Sequence, residues 1–423
     1  MRGRRADQAE RPGGATEPRR DRRSLTHVGG ETRTRGDRRA GEVLTRALDV
    51  GSSVDSEQAE RAARAHVHGF HTYPARMHPT TARRLIEALS PSAGVVLDPF
   101  CGSGTVLVEA RAAGRRAAGV DLNPLAVRLA RRKVTPSGPE EREAISAAAA
   151  EVVEVAETRR HAKAGASRRY GREDVALFDP HVLLALDGLR VGIEALPVGA
   201  PRDALALVLS SILVKLSKKA GDTSEGARPA RIAAGFPARL FADKTRDLVE
   251  RLAEIEPELR RGPEARVDEG DARSLRHLSA ASVDLVVTSP PYAGVYDYLE
   301  HHRMRLRWLG LHDRKLEQAE IGARRHLSRL PTAEAWETFF EQLCGVLGAV
   351  RRVLVPGGRA VLIIGDATRG REVLASDELT AEAALKNRFE VTAVGSQERP
   401  SFHGAARSKL EHAVLLTKKD APR

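Results

Sequence analysis

Residues 288–292 read Thr-Ser-Pro-Pro-Tyr and directly follow a strand-like run, VDLVV, at 283–287. The consecutive prolines, Pro290 and Pro291, hold the backbone rigid and remove two amide donors. What remains is a set of acceptors, carbonyl oxygens with the Ser289 hydroxyl, beside the flat face of Tyr292. That set suits an aromatic amine, with acceptors for both hydrogens and a ring to stack on. The amine of cytosine or adenine is a poor nucleophile because its lone pair is delocalised into the ring. Acceptors that bind both hydrogens favour a pyramidal nitrogen and restore the lone pair, so that a methyl group can pass in line from a sulfonium. Positioning and electrostatics supply most of such a gain, with no metal, covalent nucleophile or strong base. A base inside a duplex is out of reach, so it must be flipped and stacked, the task this pattern gives Tyr292.

A second segment, DPFCGSG at 98–104, follows another short apolar strand. Gly102 and Gly104 let the backbone turn sharply and approach a ligand, and the helix that follows offers free amides. Asp98 places an acceptor where a cationic or hydroxylated ligand would sit. The spacing is not that of a dinucleotide-binding glycine loop, and no Gly-Lys-Ser/Thr follows as in a P-loop. A carboxylate beside the glycines repels pyrophosphate and suits a ligand amine. Asp121 ends the next strand and reads either as a ribose acid or as a helix N-terminal charge. Asp271, in GDAR, lies where the base edge of a nucleoside would fall, or is a surface-turn acid. His66, His68, His71 and His78 match no common zinc spacing, so packing or a substrate-facing role is expected and no metal. Tyr296, Tyr298, His301 and His302 line a base pocket or pack a helix.

Strand–helix alternation positions these residues. Strands are expected near 95–97, 116–120, 283–287, 359–366, 389–395 and 411–417, with helices between them. That alternation implies an α/β, Rossmann-like fold: a doubly wound, mainly parallel sheet that binds ligands at the carboxyl ends of its strands. Residues 137–262 interrupt it with helical patterns and read as a helical insertion. It divides the domain into a cofactor half at 61–136 and a catalytic half at 263–423. Within it, a polar loop at 217–231 carries Lys218, Lys219, Arg228 and Arg231, read as a nucleic-acid phosphate contact or a solvated loop.

Net charge is +12, yet residues 1–40 hold twelve Arg against six acids. Half of the excess therefore sits in a stretch poor in apolar residues, and residues 1–60 are expected to be a disordered, Arg-rich tail. That tail reads as a solvated leader or a nucleic-acid-binding arm. Two cysteines, Cys101 and Cys344, lie far apart and suggest no disulfide framework, so a reducing cytoplasm is expected. No apolar run approaches the length of a membrane span.

Taken together these segments resemble the bacterial DNA amino-methyltransferases, which methylate cytosine N4 or adenine N6. DPFCGSG resembles their cofactor segment, Asp121 the ribose acid, Asp271 the adenine-ring acid and TSPPY the catalytic turn. HTYPARMHP (71–79) is similar to the stretch that helps hold the methionine end of the cofactor, and KLEHAVLLTK (409–418) to the closing strand. The resemblance covers roughly 66–136 and 264–418. It implies a site-specific DNA methyltransferase that uses S-adenosyl-L-methionine. The cofactor would be held by Tyr73, Pro74, Asp98, Phe100, Gly102, Gly104, Asp121 and Asp271. Ser289, Pro290, Pro291 and Tyr292 would hold the target amine of a base flipped from double-stranded DNA. Serine at the first position leans toward cytosine N4. A cognate restriction or defence partner fits the family, while the oligomeric state is not readable. The insertion falls between Asp121 and Asp271, earlier than the family's usual target-recognition region. Guanine-N2 tRNA methyltransferases carry similar segments but usually with an added RNA-binding domain. A catalytically inactive nucleic-acid-binding relative would not need both segments intact.

Overall fold

The computed structural model describes residues 30–50, 56–221, 231–370, 372–399 and 409–419. The strands are β1 (Thr32–Gly36), β2 (Val95–Asp98), β3 (Arg116–Asp121), β4 (Ala265–Glu269), β5 (Val283–Thr288), β6 (Leu354–Gly365), β7 (Ala367–Arg369), β8 (Glu372–Leu374), β9 (Phe389–Arg399) and β10 (Lys409–Lys418). Helices α1 (Arg38–Leu48), α2 (Ser56–Ala63), α3 (Pro79–Leu89), α4 (Thr105–Ala112) and α5 (Pro124–Val134) occupy the first part of the chain. Between β3 and β4 run α6 (Pro139–His161), α7 (Arg172–Leu177), α8 (Pro180–Ala195), α9 (Ala200–Leu216) and α10 (Phe236–Arg261). Helices α11 (Tyr298–Trp308), α12 (Arg314–Ala319), α13 (Arg324–Leu327), α14 (Thr332–Val353) and α15 (Ser376–Lys386) complete it.

Eight strands form one sheet in the order β1-β9-β10-β6-β5-β2-β3-β4. Strands β6, β5, β2, β3 and β4 run parallel, while β10, β9 and β1 add to the β6 edge antiparallel. This is a Rossmann-like architecture, doubly wound about a mainly parallel sheet. From β2 the chain first winds outward through β3 and β4, then returns to β5 on the other side. The carboxyl ends of β2 and β5 therefore meet where the winding reverses, the place such sheets bind ligands.

Alternation along the strands builds two apolar layers. Val96, Leu285 and Val287 face a core shared with α3, α4, α5 and the helices between β3 and β4. Leu97, Val286 and Leu362 face the other, shared with α14. Burial on both faces explains why these strands read as apolar runs. Helix α5 starts as its sequence suggests: Pro124 stands at its start and the Asn123 side chain accepts from the Leu125 amide.

The N-terminal boundary differs from the sequence reading. Within the stretch expected to be disordered, β1 pairs with β9 along its whole length. Gly36 then turns with φ +96° against the backbone of Thr392, so that any side chain there would clash. Asp37 caps α1, accepting from the Ala40 amide at 2.8 Å, and Leu44 and Leu48 enter the core. An edge strand with mostly exposed side chains carries no apolar periodicity, so composition alone mistakes TRTRG for tail.

Candidate active site

The turn from β2 into α4 gathers two buried acids. Asp98 Oδ1 accepts the Phe100 amide at 3.1 Å and the Thr288 hydroxyl at 2.6 Å. The second bond reaches across the switch point and ties the end of β5 to the end of β2. Gly102 adopts φ +49°, and its amide donates to Asp121 Oδ2 at 2.8 Å, while the Asn123 amide donates to Oδ1 at 2.8 Å. Burial pushes Asp98 up to about 7 and Asp121 up to about 6, against the opposing pull of these hydrogen bonds.

Over this turn lies a cavity of about 630 Å³. Tyr73, Phe100, Gly102, Asp121, Asp271, Ser289 and Pro291 all line it. A smaller lobe of about 340 Å³ lies against the same Gly102, between Asp98, Arg76 and Ser103, with Tyr73, Phe100 and Ser289 again on its wall. The Ser103 hydroxyl is buried there and has no hydrogen-bond partner among the described residues. A buried acid, a guanidinium and an orphaned hydroxyl in one lobe suit the zwitterionic end of an amino acid. The larger lobe, with Asp121 and Asp271, suits a nucleoside. Sequence-distant residues are thus brought into one two-lobed space that fits S-adenosylmethionine.

Several expected residues stand elsewhere. Gly104 does not line either lobe. It caps α4 with φ +86°, and an added Cβ would lie 2.9 Å from Ala130 Cα, so it serves the close packing of α4 on α5. Pro74 and Pro290 are also off both walls; Pro74 precedes Ala75, which lines both and has φ +53°. Asp271 is on the wall but paired with Arg273 at 2.6 Å, and Arg273 donates in turn to the Ala319 carbonyl at 3.2 Å, next to α12. Tyr292 is half-buried and turned from the cavity. Its ring lies over Gly365, where a Cβ would come within 2.6 Å of it, and its hydroxyl donates to Glu411 at 2.8 Å. Burial and the Glu411 carboxylate push that phenol well up.

Other residues at the wall were not singled out by sequence, Tyr298 and the neighbouring His302 excepted. Glu320 and Ile321 come from the charged loop after α11, and Glu320 accepts the Tyr298 amide at 2.7 Å. Tyr298 itself is on the wall. Asn123, the cap of α5, also lines the cavity, and its amide donates to His302 Nδ1 at 2.8 Å. His302 stacks under Tyr73 at 4.7 Å. The signal available was the pair of aromatics one turn into α11. The N-terminal histidines have structural partners: His68 with Glu109 at 2.8 Å, His71 with Ser210 at 3.0 Å and His78 with the Ala59 carbonyl at 2.9 Å. His66, His68 and Glu109 converge, but Arg83 already holds Glu109 at 2.6 Å. In the basic loop Lys218 pairs with Asp179 at 3.3 Å, Lys219 is partly covered, Arg231 is exposed and Arg228 lies outside the described residues. None of the described loop residues lines the cavity.

Residues 25–132 match the N6/N4 DNA methylase family profile. In this segment the chain is similar to the DNA amino-methyltransferases. The matched part contains Tyr73, Asp98, Gly102 and Asp121, which line the two lobes, while the turn at 289–292 lies beyond it. Curated relatives include the type II methyltransferase M.MvaI of Kocuria varians, 43% identical over 75 residues, 17% of this chain and 16% of that protein. The type II methyltransferase M.MjaI of Methanocaldococcus jannaschii is 35% identical over 105 residues, 24% of this chain and 32% of that one. A tRNA (guanine(10)-N2)-dimethyltransferase of Methanothermobacter thermautotrophicus is 40% identical over 82 residues, 19% and 23% respectively. The chain thus aligns with less than a third of the length of each of these relatives.

Proposed function

We propose that this chain transfers a methyl group from S-adenosylmethionine to an exocyclic amine of a base in double-stranded DNA, cytosine N4 ahead of adenine N6. The supporting observation is that Ser289 and Pro291 share one cavity with Gly102 and Asp121, locked by the Thr288–Asp98 bond. When bound, the cofactor supplies an electrophilic methyl carbon. Asp121 accepts from ribose hydroxyls, Asp98 and Arg76 take the charged amino-acid groups, and Tyr73 covers Gly102. Ser289 and the carbonyls of the proline turn accept both hydrogens of the target amine and sharpen its lone pair. Tyr298, on the cavity wall, stacks against the flipped base, and the basic loop at 217–231 contacts phosphate. The enzyme works in the cytoplasm, where a cognate restriction or defence partner would act on the same sequence. Among the described residues no helix is long and apolar enough to cross a membrane.

The likeness to a tRNA guanine-N2 methyltransferase supports a second reading, methylation of a guanine amine in RNA. Mass spectrometry of nucleosides from host DNA and host tRNA, with and without this gene, separates the two. A methylated cytosine or adenine that disappears from DNA on deletion supports the first reading. Loss confined to N2-methylguanosine in tRNA replaces it with the second.

A further inference from the structure

Three side chains able to hold a metal ion converge beyond the end of β6, and the proposed function gives them no task. Asp366 stands between β6 and β7, Asp377 in the first turn of α15, and His412 near the start of β10. One oxygen of each carboxylate and a ring nitrogen of His412 all lie within 4.8 Å of one another. His412 Nε2 is 2.9 Å from Asp366 Oδ1 and 3.8 Å from Asp377 Oδ1. None of the three lines either lobe of the cavity.

A zinc ion bonded to nitrogen and oxygen at about 2.0–2.2 Å sets its ligands roughly 3–3.5 Å apart. The two measured separations bracket that spacing, so small side-chain rotations close the set around an ion. The surroundings hold the set in place. Ser396 stands opposite His412 on β9, and its hydroxyl meets Nδ1 at 2.8 Å. That contact leaves Nε2 facing the two carboxylates, and a partner on the far nitrogen is what orients a metal-binding imidazole. The Ser376 amide donates to Asp366 Oδ1 at 3.0 Å. Arg35 of β1 pairs with Asp377 Oδ2 at 2.7 Å, while no hydrogen bond among the described residues reaches Asp377 Oδ1. Charge points the same way. Two carboxylates face one guanidinium and an imidazole that is neutral in its ligand form, which leaves a negative excess for a cation to meet. The other convergent set, His66, His68 and Glu109, lacks that excess. Both Glu109 oxygens are taken there, by His68 and Arg83, and Lys133 and Arg76 add positive charge around His68.

We propose that Asp366, Asp377 and His412 bind one divalent first-row cation that ties β6, α15 and β10 together. The nitrogen ligand favours zinc over magnesium or calcium, which prefer all-oxygen sets. On binding, His412 Nε2 turns its lone pair to the ion, and the ring proton moves to Nδ1, where Ser396 Oγ accepts it. The site is separate from methyl transfer and does not depend on the substrate.

The test uses the full chain, stripped with a chelator and titrated with zinc chloride in a calorimeter, with thermal melts alongside. Wild type is expected to take up one zinc ion with a micromolar Kd and to melt roughly a few degrees higher when saturated. Asp377→Asn and His412→Gln are each expected to weaken binding at least tenfold. Asp377 has a partly exposed side chain at a helix start, so its variant decides the matter if His412→Gln fails to fold. Arg35→Gln, on the exposed edge strand, is expected to bind zinc severalfold more tightly, because it frees Asp377 Oδ2 and removes a competing charge. A purely structural Asp–His–Arg network predicts no such gain. Glu109→Gln is expected to bind as wild type does. The proposal is overturned by wild type that takes up no zinc at millimolar concentration, by Asp377→Asn that binds as wild type does, by Arg35→Gln that binds no more tightly, or by loss of binding in Glu109→Gln.

Discussion

Asp121 accepts two backbone amides and still has lone pairs directed at the larger lobe, so its charge state governs what the lobe can hold. Burial raises it to about 6, and only the carboxylate can accept from two hydroxyl donors. Cofactor affinity is therefore expected to be full above that value and to fall as pH drops through it. Calorimetry at pH 8 and pH 5 checks this, with Asp121→Ala weak at both; a pH-independent Kd would reassign the acid. Asp98, raised to about 7, makes an opposite contribution to the free protein. Its protonated form fits the fold better, so that part of stability is present below the ordinary carboxylate value near 4 and is lost as pH rises toward 7. Asp98→Asn is expected to raise the melting temperature at pH 8 by roughly a few degrees while weakening cofactor binding, with little gain at pH 4. These acids were legible in the sequence because strand ends expose their chemistry in short runs. Glu320 and Ile321 were not, because only the tertiary fold brings the segment after α11 to the cavity wall.

At the scale of elements, the β2–α4 turn separates two uses of glycine that look alike in sequence. Gly102 opens the wall of both lobes, whereas Gly104 lets α4 approach Ala130. Gly104→Val combines a left-handed φ with a backbone contact at 2.9 Å, and is expected to cost about 2 kcal/mol or more. Thermal melts should show the loss, while cofactor affinity measured at low temperature stays within a few-fold. A normal melting temperature would mean that α4 and α5 are not packed this closely. The parallel strands β2, β5 and β6 were readable because burial on both faces writes apolar runs, which the mostly polar β4 lacks. Strand β1 was not, since an exposed edge needs only backbone pairing with β9, which leaves no trace in side-chain pattern. Helices α6 to α10 were readable as helices, but periodicity does not say that they share one apolar layer with α3, α4 and α5.

Across the whole molecule, the winding reverses between β2 and β5, and every part of the proposed chemistry depends on that meeting. The proposed cofactor floor comes from the segment similar to DNA methylases, the proposed acceptor turn from residues more than 150 positions beyond its end, and the Thr288–Asp98 bond at 2.6 Å joins them. Among the described residues, Lys218, Lys219 and Arg231 of the insertion do not line the cavity. The most direct measurement is transfer of label from S-adenosylmethionine to unmodified DNA by wild type and by Ser289→Ala, with cofactor binding followed in parallel. The expected result is a methylated exocyclic amine in the wild-type digest and turnover at least a hundredfold lower in the variant, on the order seen when a transition-state acceptor is lost, at unchanged cofactor Kd. Equal turnover in the two proteins would contradict the account.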